Sequence, residues 1–165
     1  MLKRVSSQMH LSRDNPFISI YVYINLNLYK YFMYELKKIL FVCVENAGRS
    51  QIAEGFLRKY APNRFQSLSA GTKPIDIVNP LAIDVMKEIG IDIRKQKPKV
   101  LSNDLIKQSY KIVNMGCMDK ESCPTLFVEN AINWNIEDPK GKSIDVVRKI
   151  RDEIEKKVKE LVTTL

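Results

Sequence analysis

At 165 residues the chain is long enough for one domain with a proper core and short for two. Its 45% hydrophobic and 28% charged residues, without a low-complexity run or an internal repeat, are those of a globular protein and exclude a fibrous or disordered chain. The formal charge of +8 is not massed on one segment, and no recognition motif accompanies it, so nucleic acid is not expected as a partner. Along the C-terminal stretch the cations alternate with acids in the favourable i,i+4 order, as Asp152/Lys156, Glu153/Lys157 and Glu155/Lys159, which describes a solvated helix face. A net positive field also suits attraction of a small anion.

The three cysteines, Cys43, Cys117 and Cys123, are an odd set that fits a reducing cytoplasm better than a secreted disulfide framework. The single histidine, His10, lies in an atypical N-terminal segment. Cys-His and Ser-His-Asp catalysis are thereby set aside, with most zinc sites, and neither a metal nor a tightly bound cofactor is expected. A catalytic cysteine here has to be activated by other means.

Residues 1–35 differ from the rest: they hold five of the seven tyrosines and no glycine. The apolar stretch Phe17 to Ile24 is too short to span a bilayer, so no membrane is expected. Lys3 and Arg4 invite comparison with a signal peptide, but the charges continue to Arg13 and no small-residue cleavage site follows. The alternation there suits an edge strand or hairpin arm; the plainer reading is an extension upstream of a start at Met33, with no part in the site. Residues 36–165 then form the single domain in which any site has to lie.

Within that domain Ile39-Leu40-Phe41-Val42 is a continuous apolar run, as expected of a strand buried on both faces. Ile52, Ala53, Phe56, Leu57 and Tyr60 recur at helical spacing, so a helix begins near Arg49 and ends before Pro62-Asn63. Phe65 to Ala70 form a second strand. Asn79-Pro80 starts a helix with an apolar stripe from Leu81 to Ile89 and a glycine stop at Gly90. A basic connection, Arg94 to Lys99, leads to a short helix around Asn103 to Gln108. Tyr110 to Met115 is a third strand, Ile132 to Ile136 a fourth, and Ile144 to Leu161 a long C-terminal helix. The alternation predicts an α/β fold in a single domain, a four-stranded parallel sheet with helices on both faces. Ligands bind such sheets beyond the carboxyl ends of the strands, where Cys43, Met115-Gly116-Cys117 and Glu137-Asp138-Pro139 all fall.

The run from Cys43 to Ser50 carries the sharpest chemistry. A short loop between strand and helix can point backbone N–H groups of Val44, Glu45, Asn46, Ala47 and Gly48 inward, and the helix N-terminus adds positive partial charge. Both favour a tetrahedral anion and a thiolate at Cys43 without a histidine. Arg49 offers planar bidentate donors to two oxyanion oxygens, Ser50 a hydroxyl donor to the thiolate, and Asn46 a residue tolerant of left-handed backbone. Gly48 allows tight closure. Left to itself, the same pattern also describes a buried structural cysteine followed by a surface arginine.

The run Phe41-Val42-Cys43-Val44-Glu45-Asn46-Ala47-Gly48-Arg49-Ser50-Gln51-Ile52-Ala53-Glu54 resembles the low-molecular-weight protein tyrosine phosphatase superfamily, and most of all its thioredoxin-coupled arsenate reductase branch. Gln51 stands where the phosphatases commonly carry proline. The resemblance runs from about Lys37 to Val162 and implies that Cys43 is the nucleophile, Arg49 the anion ligand and Asp138 the acid that protonates the leaving group. An isolated Asp-Pro is more often a turn. Cys117 and Cys123, with five residues between them, read alone as inert thiols or an incomplete metal site. The resemblance implies instead a relay in which Cys117 attacks Cys43 and Cys123 resolves the pair, with a thioredoxin-like protein as external reductant. Arsenate is then the substrate. The main alternative is a phosphatase acting on phosphotyrosine or a small phosphate ester; Lys140-Gly141-Lys142 after Asp-Pro, in place of aromatics, fits a small inorganic anion better. A non-enzymatic thiol redox sensor is the third reading.

Overall fold

The computed structural model describes residues 36–116, 128–129 and 131–165. Of the chain's two compact units, Met1–Glu35 and Leu36–Leu165, the second carries every described residue. The N-terminal strand or hairpin expectation, Cys117 and Cys123 lie outside the described residues.

The elements follow as β1 (Lys37–Cys43), α1 (Arg49–Tyr60), β2 (Phe65–Gly71), α2 (Pro80–Glu88), α3 (Asn103–Gln108), β3 (Lys111–Asn114), β4 (Ala131–Asn133) and α4 (Ile144–Thr164). The sheet is four-stranded in the order β2-β1-β3-β4, and every pairing is parallel. The central place of β1 explains its unbroken apolar run: Ile39, Leu40, Phe41 and Val42 are all fully buried. The pleat sends Ile39, Phe41 and Cys43 to one face, against Ile52 and Phe56 of α1 and Ile154 and Val158 of α4. Leu40 and Val42 go to the other face, against Leu101, Leu105 and Ile106.

The local signals act where expected. The Asn79 side chain accepts from the Leu81 N–H at 2.9 Å, ahead of Pro80, satisfying a donor the helix cannot use. Gly90 terminates the same region at φ +73°, a conformation that side-chain-bearing residues rarely adopt. Of the three i,i+4 pairs, Glu155–Lys159 closes at 2.9 Å; Asp152 instead takes Arg151, and Lys157 lies over the Trp134 ring. Arg151 is nearly buried and ties α4 to α2 through the Val85 carbonyl at 2.8 Å and Glu88 at 3.1 Å.

Two strands end earlier than expected, the third running Lys111–Asn114 rather than Tyr110 to Met115. The fourth strand stops at Asn133 rather than Ile136. Its partner β3 ends at Asn114, in register with Asn133, so only the Trp134 N–H to Asn114 carbonyl bond, 2.7 Å, extends the ladder. The chain then leaves the sheet and carries Ile136 to Pro139 over the end of β1.

Tyr60, stacked on Phe56, donates its hydroxyl to Glu155 of α4. Burial and then this bond raise the Tyr60 pKa; the Tyr60 bond is also the largest cause lowering that of Glu155. A raised pKa on folding gives stability that is complete below the unfolded value and lost as pH climbs through the folded one. Wild-type protein should therefore lose melting temperature above about pH 10 more steeply than Tyr60→Phe, with thermal melts across that range as the measurement. Parallel alkaline limbs would remove this link.

Candidate active site

The β1–α1 connection is built from the outside. The carbonyls of Cys43, Val44, Glu45 and Ala47 accept the N–H groups of Thr72, Lys73, Ile75 and Asn79 at 3.3, 2.9, 3.2 and 2.9 Å. That of Asn46 accepts Gln51 Nε2 at 2.8 Å. Because each peptide unit is planar and trans, a carbonyl turned outward turns the following N–H inward. The Asn46 N–H shows the result, reaching Cys43 Sγ at 3.2 Å. The segment after β2 can come this close because Gly71 has no side chain; a Cβ there would lie 2.5 Å from the Val44 carbonyl oxygen.

Asn46 is fully buried at φ +50° and its side chain is the hub of the loop. Its Oδ1 accepts the Lys99 N–H at 2.7 Å and its Nδ2 donates to Ser50 Oγ at 2.8 Å. Since Ser50 Oγ serves Asn46 as acceptor, its own proton is free for Cys43 Sγ, 3.0 Å away. Cys43 is 3% exposed, so two donors rather than water meet its sulfur. Gln51 is locked in turn by Gln96 Nε2, 2.7 Å from its Oε1.

Helix α1 opens at Arg49 with Gly48 as N-cap; no side chain caps it and its first turn holds no acid. Its positive end is therefore not compensated locally and faces the loop interior. Arg49 is 7% exposed; one guanidinium nitrogen donates to the Ile136 carbonyl at 3.0 Å and the other to Asp138 Oδ2 at 2.6 Å. The guanidinium lies against Gly116, where a Cβ would come within 2.2 Å of it. Pro139 packs on Gly48, Lys140 N–H donates to Asp138 Oδ1 at 2.9 Å, and Glu137 turns away to Lys142 at 2.6 Å.

Cys43, Glu45, Arg49, Asp138, Pro139 and Lys140 border one small cavity of about 20 Å³. A wider surface groove of about 660 Å³, bordered by Glu54, Arg58, Gln96 and Lys97, contains no nucleophile. The chemistry belongs to the smaller space. Among the described residues no cluster of His, Cys, Asp and Glu could hold a metal ion, and no helix is long and apolar enough to cross a membrane.

The structure thus brings Cys43, the loop through Ser50, Arg49 and Asp138 together, with Cys117 and Cys123 outside the described residues. Lys140 and Lys142 are each engaged by an acid, Glu45 and Glu137. The supporting contacts from Gly71, Gln96, Lys99 and Gly116 have no local signal in sequence, apart from glycines directly after strands.

The chain belongs to the low molecular weight phosphotyrosine protein phosphatase family, whose model matches residues 38–165. Within that class it is 36% identical over 129 residues to an arsenate reductase of Brevibacillus brevis, spanning 78% of this chain and 96% of that protein. The fold superimposes on an arsenate reductase in a phosphate-bound state with TM-score 0.71 and 32% identity, covering 78% of this chain and 98% of that one. It also matches the thioredoxin-dependent arsenate reductase of Corynebacterium glutamicum with TM-score 0.68 and 30% identity, over 90% of this chain and 71% of that one.

Two substitutions test the geometry. Ser50→Ala removes a hydrogen-bond partner of the Cys43 sulfur, an interaction worth about 1 kcal/mol or more, so iodoacetamide should capture Cys43 at neutral pH about tenfold more slowly. Gly116→Ala forces the Arg49 guanidinium aside and should weaken protection of Cys43 by inorganic phosphate by about tenfold. Protection equal to wild type would mean that Arg49 does not hold the anion.

Proposed function

We propose that this chain is an arsenate reductase that forms its adduct at Cys43 and releases arsenite through a thiol relay. The reading is supported by the arsenate reductases that the chain resembles and, for the adduct, by the sulfur of Cys43 held by the Ser50 hydroxyl and Asn46 N–H, at the uncapped end of α1. Arsenate would sit on the inward N–H groups of the loop, taking the Arg49 contact now made by Asp138. Cys43 thiolate attacks arsenic, and Asp138 delivers a proton to the departing oxygen, which leaves as water.

Cys117 thiolate next attacks Cys43 Sγ. The new S–S bond forms as the S–As bond breaks, and its electron pair stays on arsenic, taking As(V) to As(III). Cys123 thiolate then attacks Cys117, freeing Cys43 thiolate and leaving a Cys117–Cys123 disulfide. A thioredoxin-like dithiol supplies the two electrons that reopen it. The chain enters this segment from Gly116, whose backbone lies against Arg49, and Cys117 is the next residue in sequence. A relay of free thiols requires a reducing compartment, so we place the reaction in the cytoplasm, with residues 36–165 as its catalytic domain.

The same loop, arginine and aspartate would serve a phosphatase, and the family's own description names one. The two readings part after the first adduct. Incubation of reduced protein with arsenate should release arsenite and produce disulfides through Cys117, mapped by mass spectrometry. Cys117→Ser and Cys123→Ser should each stop turnover after at most one cycle. Unimpaired arsenate reduction by both variants would sink the relay, and rapid aryl phosphate hydrolysis without arsenite would establish the phosphatase.

A further inference from the structure

A carboxylate within an anion-binding loop works against its purpose unless something offsets it, and Glu45 stands two residues after the nucleophile. Its carbonyl is fixed by the Ile75 N–H at 3.2 Å, and its side chain reaches the rim of the cavity, where it pairs with Lys140. The partners are 95 residues apart in sequence, so the contact joins two separate loops. The hydrogen bond to Glu45 is also the largest cause of the raised Lys140 pKa, which keeps the ammonium charged.

Lys140 ends a short segment attached to the oxyanion loop at three successive residues. Asp138 bonds Arg49, Pro139 sits where a Gly48 side chain would be, 2.7 Å from its ideal Cβ, and Lys140 closes on Glu45. Cys43 lies at the base of the cavity these residues border. The space they border is small, so a ring or chain attached to the anion would project to its rim. A tetrahedral inorganic anion has no group to project, whereas an ester oxygen would have to carry its substituent out past Glu45, Asp138 and Lys140.

We propose that the Glu45–Lys140 ion pair is a strap across the cavity mouth that selects free inorganic oxyanions over those bearing an organic group. The proposal rests on the oxyanion-site reading given above. As a neutral pair the strap leaves the positive field of the loop and helix end intact. Lys140 is 71% exposed, and exposed pairs are weak, so the effect on discrimination is about threefold rather than many orders.

The test uses full-length reduced protein and follows iodoacetamide labelling of the Cys43 peptide, protected by inorganic phosphate or by phenylphosphonate. Phosphate should protect wild type at the lower concentration. Glu45→Gln removes a negative charge and should tighten both anions; Lys140→Ala exposes one and should weaken both. In each, the preference for phosphate should fall by about threefold, and the exchanged pair Glu45→Lys with Lys140→Glu should recover it. Lys140 is exposed, so its alanine variant decides the matter even if changes at Glu45 disturb the loop. An unchanged preference in Lys140→Ala overturns the strap. Arsenate reduction by wild type is measured alongside: its failure would sink the reductase reading, while the phosphate preference still judges the strap.

Discussion

The chemistry of this chain depends on holding five successive carbonyls, from Cys43 to Ala47, away from the interior of one loop. A free chain has no reason to align its peptide units this way, because neighbouring dipoles then point together. Here the alignment is imposed by acceptor–donor contacts to Thr72, Lys73, Ile75 and Asn79, all in the segment that leaves β2. That segment is within reach because β2 and β1 are in register up to Gly71 and Cys43. The strand pairing therefore sets the loop, and the loop sets the environment of the sulfur. Asn46 transmits this order: its left-handed backbone is bonded through its carbonyl, its amide oxygen and its amide nitrogen.

Around the loop, charge is handled by pairing rather than exposure. Arg49 is nearly buried, and a buried guanidinium without a partner would be costly; Ile136 and Asp138 supply two. The end of α1 is different, since neither a capping side chain nor an acid compensates it. That difference separates the small cavity from the larger groove near Gln96. In the groove, Arg58 and Lys99 both lean toward Glu54, at 3.7 and 3.5 Å, and the local charges answer one another. In the cavity the helix end and the inward N–H groups remain to be answered by an anion.

Much of this was legible in the sequence because it is local. The apolar run of β1, the Asn79-Pro80 helix start, the Gly90 stop and the spacing of Cys43, Arg49 and Ser50 each act within one or two turns of chain. The strand-helix alternation then placed Cys43 and Asp138 at the same end of the sheet. What could not be read was long-range. The Lys99 contact to Asn46 spans 53 residues, and the Gln96 bond to Gln51 spans 45. Nothing in the composition of either segment announces such a partner. The overlong fourth strand has the same origin, since a strand lasts only as long as the neighbour it pairs with, and β3 stops at Asn114. The partner of Lys140 is likewise distant, Glu45 standing 95 residues away.

The division between reductase and phosphatase is a matter of which atom the second nucleophile must reach. Water completing a phosphatase cycle attacks the central atom from the side opposite sulfur, and so enters through the mouth bordered by Asp138 and Lys140. A thiol completing the reductase cycle attacks the sulfur itself, which is 3% exposed and held from one side by Ser50 and Asn46. Access must come from another wall. Gly116 directly follows Met115, whose N–H bonds the Val42 carbonyl at 2.7 Å, and its backbone lies against Arg49, so the chain leaving β3 passes beside the guanidinium. In the proposed relay the next residue in sequence, Cys117, is the thiol that makes this attack. Hydrolysis needs no such thiol; in the proposed reductase cycle it forms the S–S bond whose making leaves the S–As electron pair on arsenic.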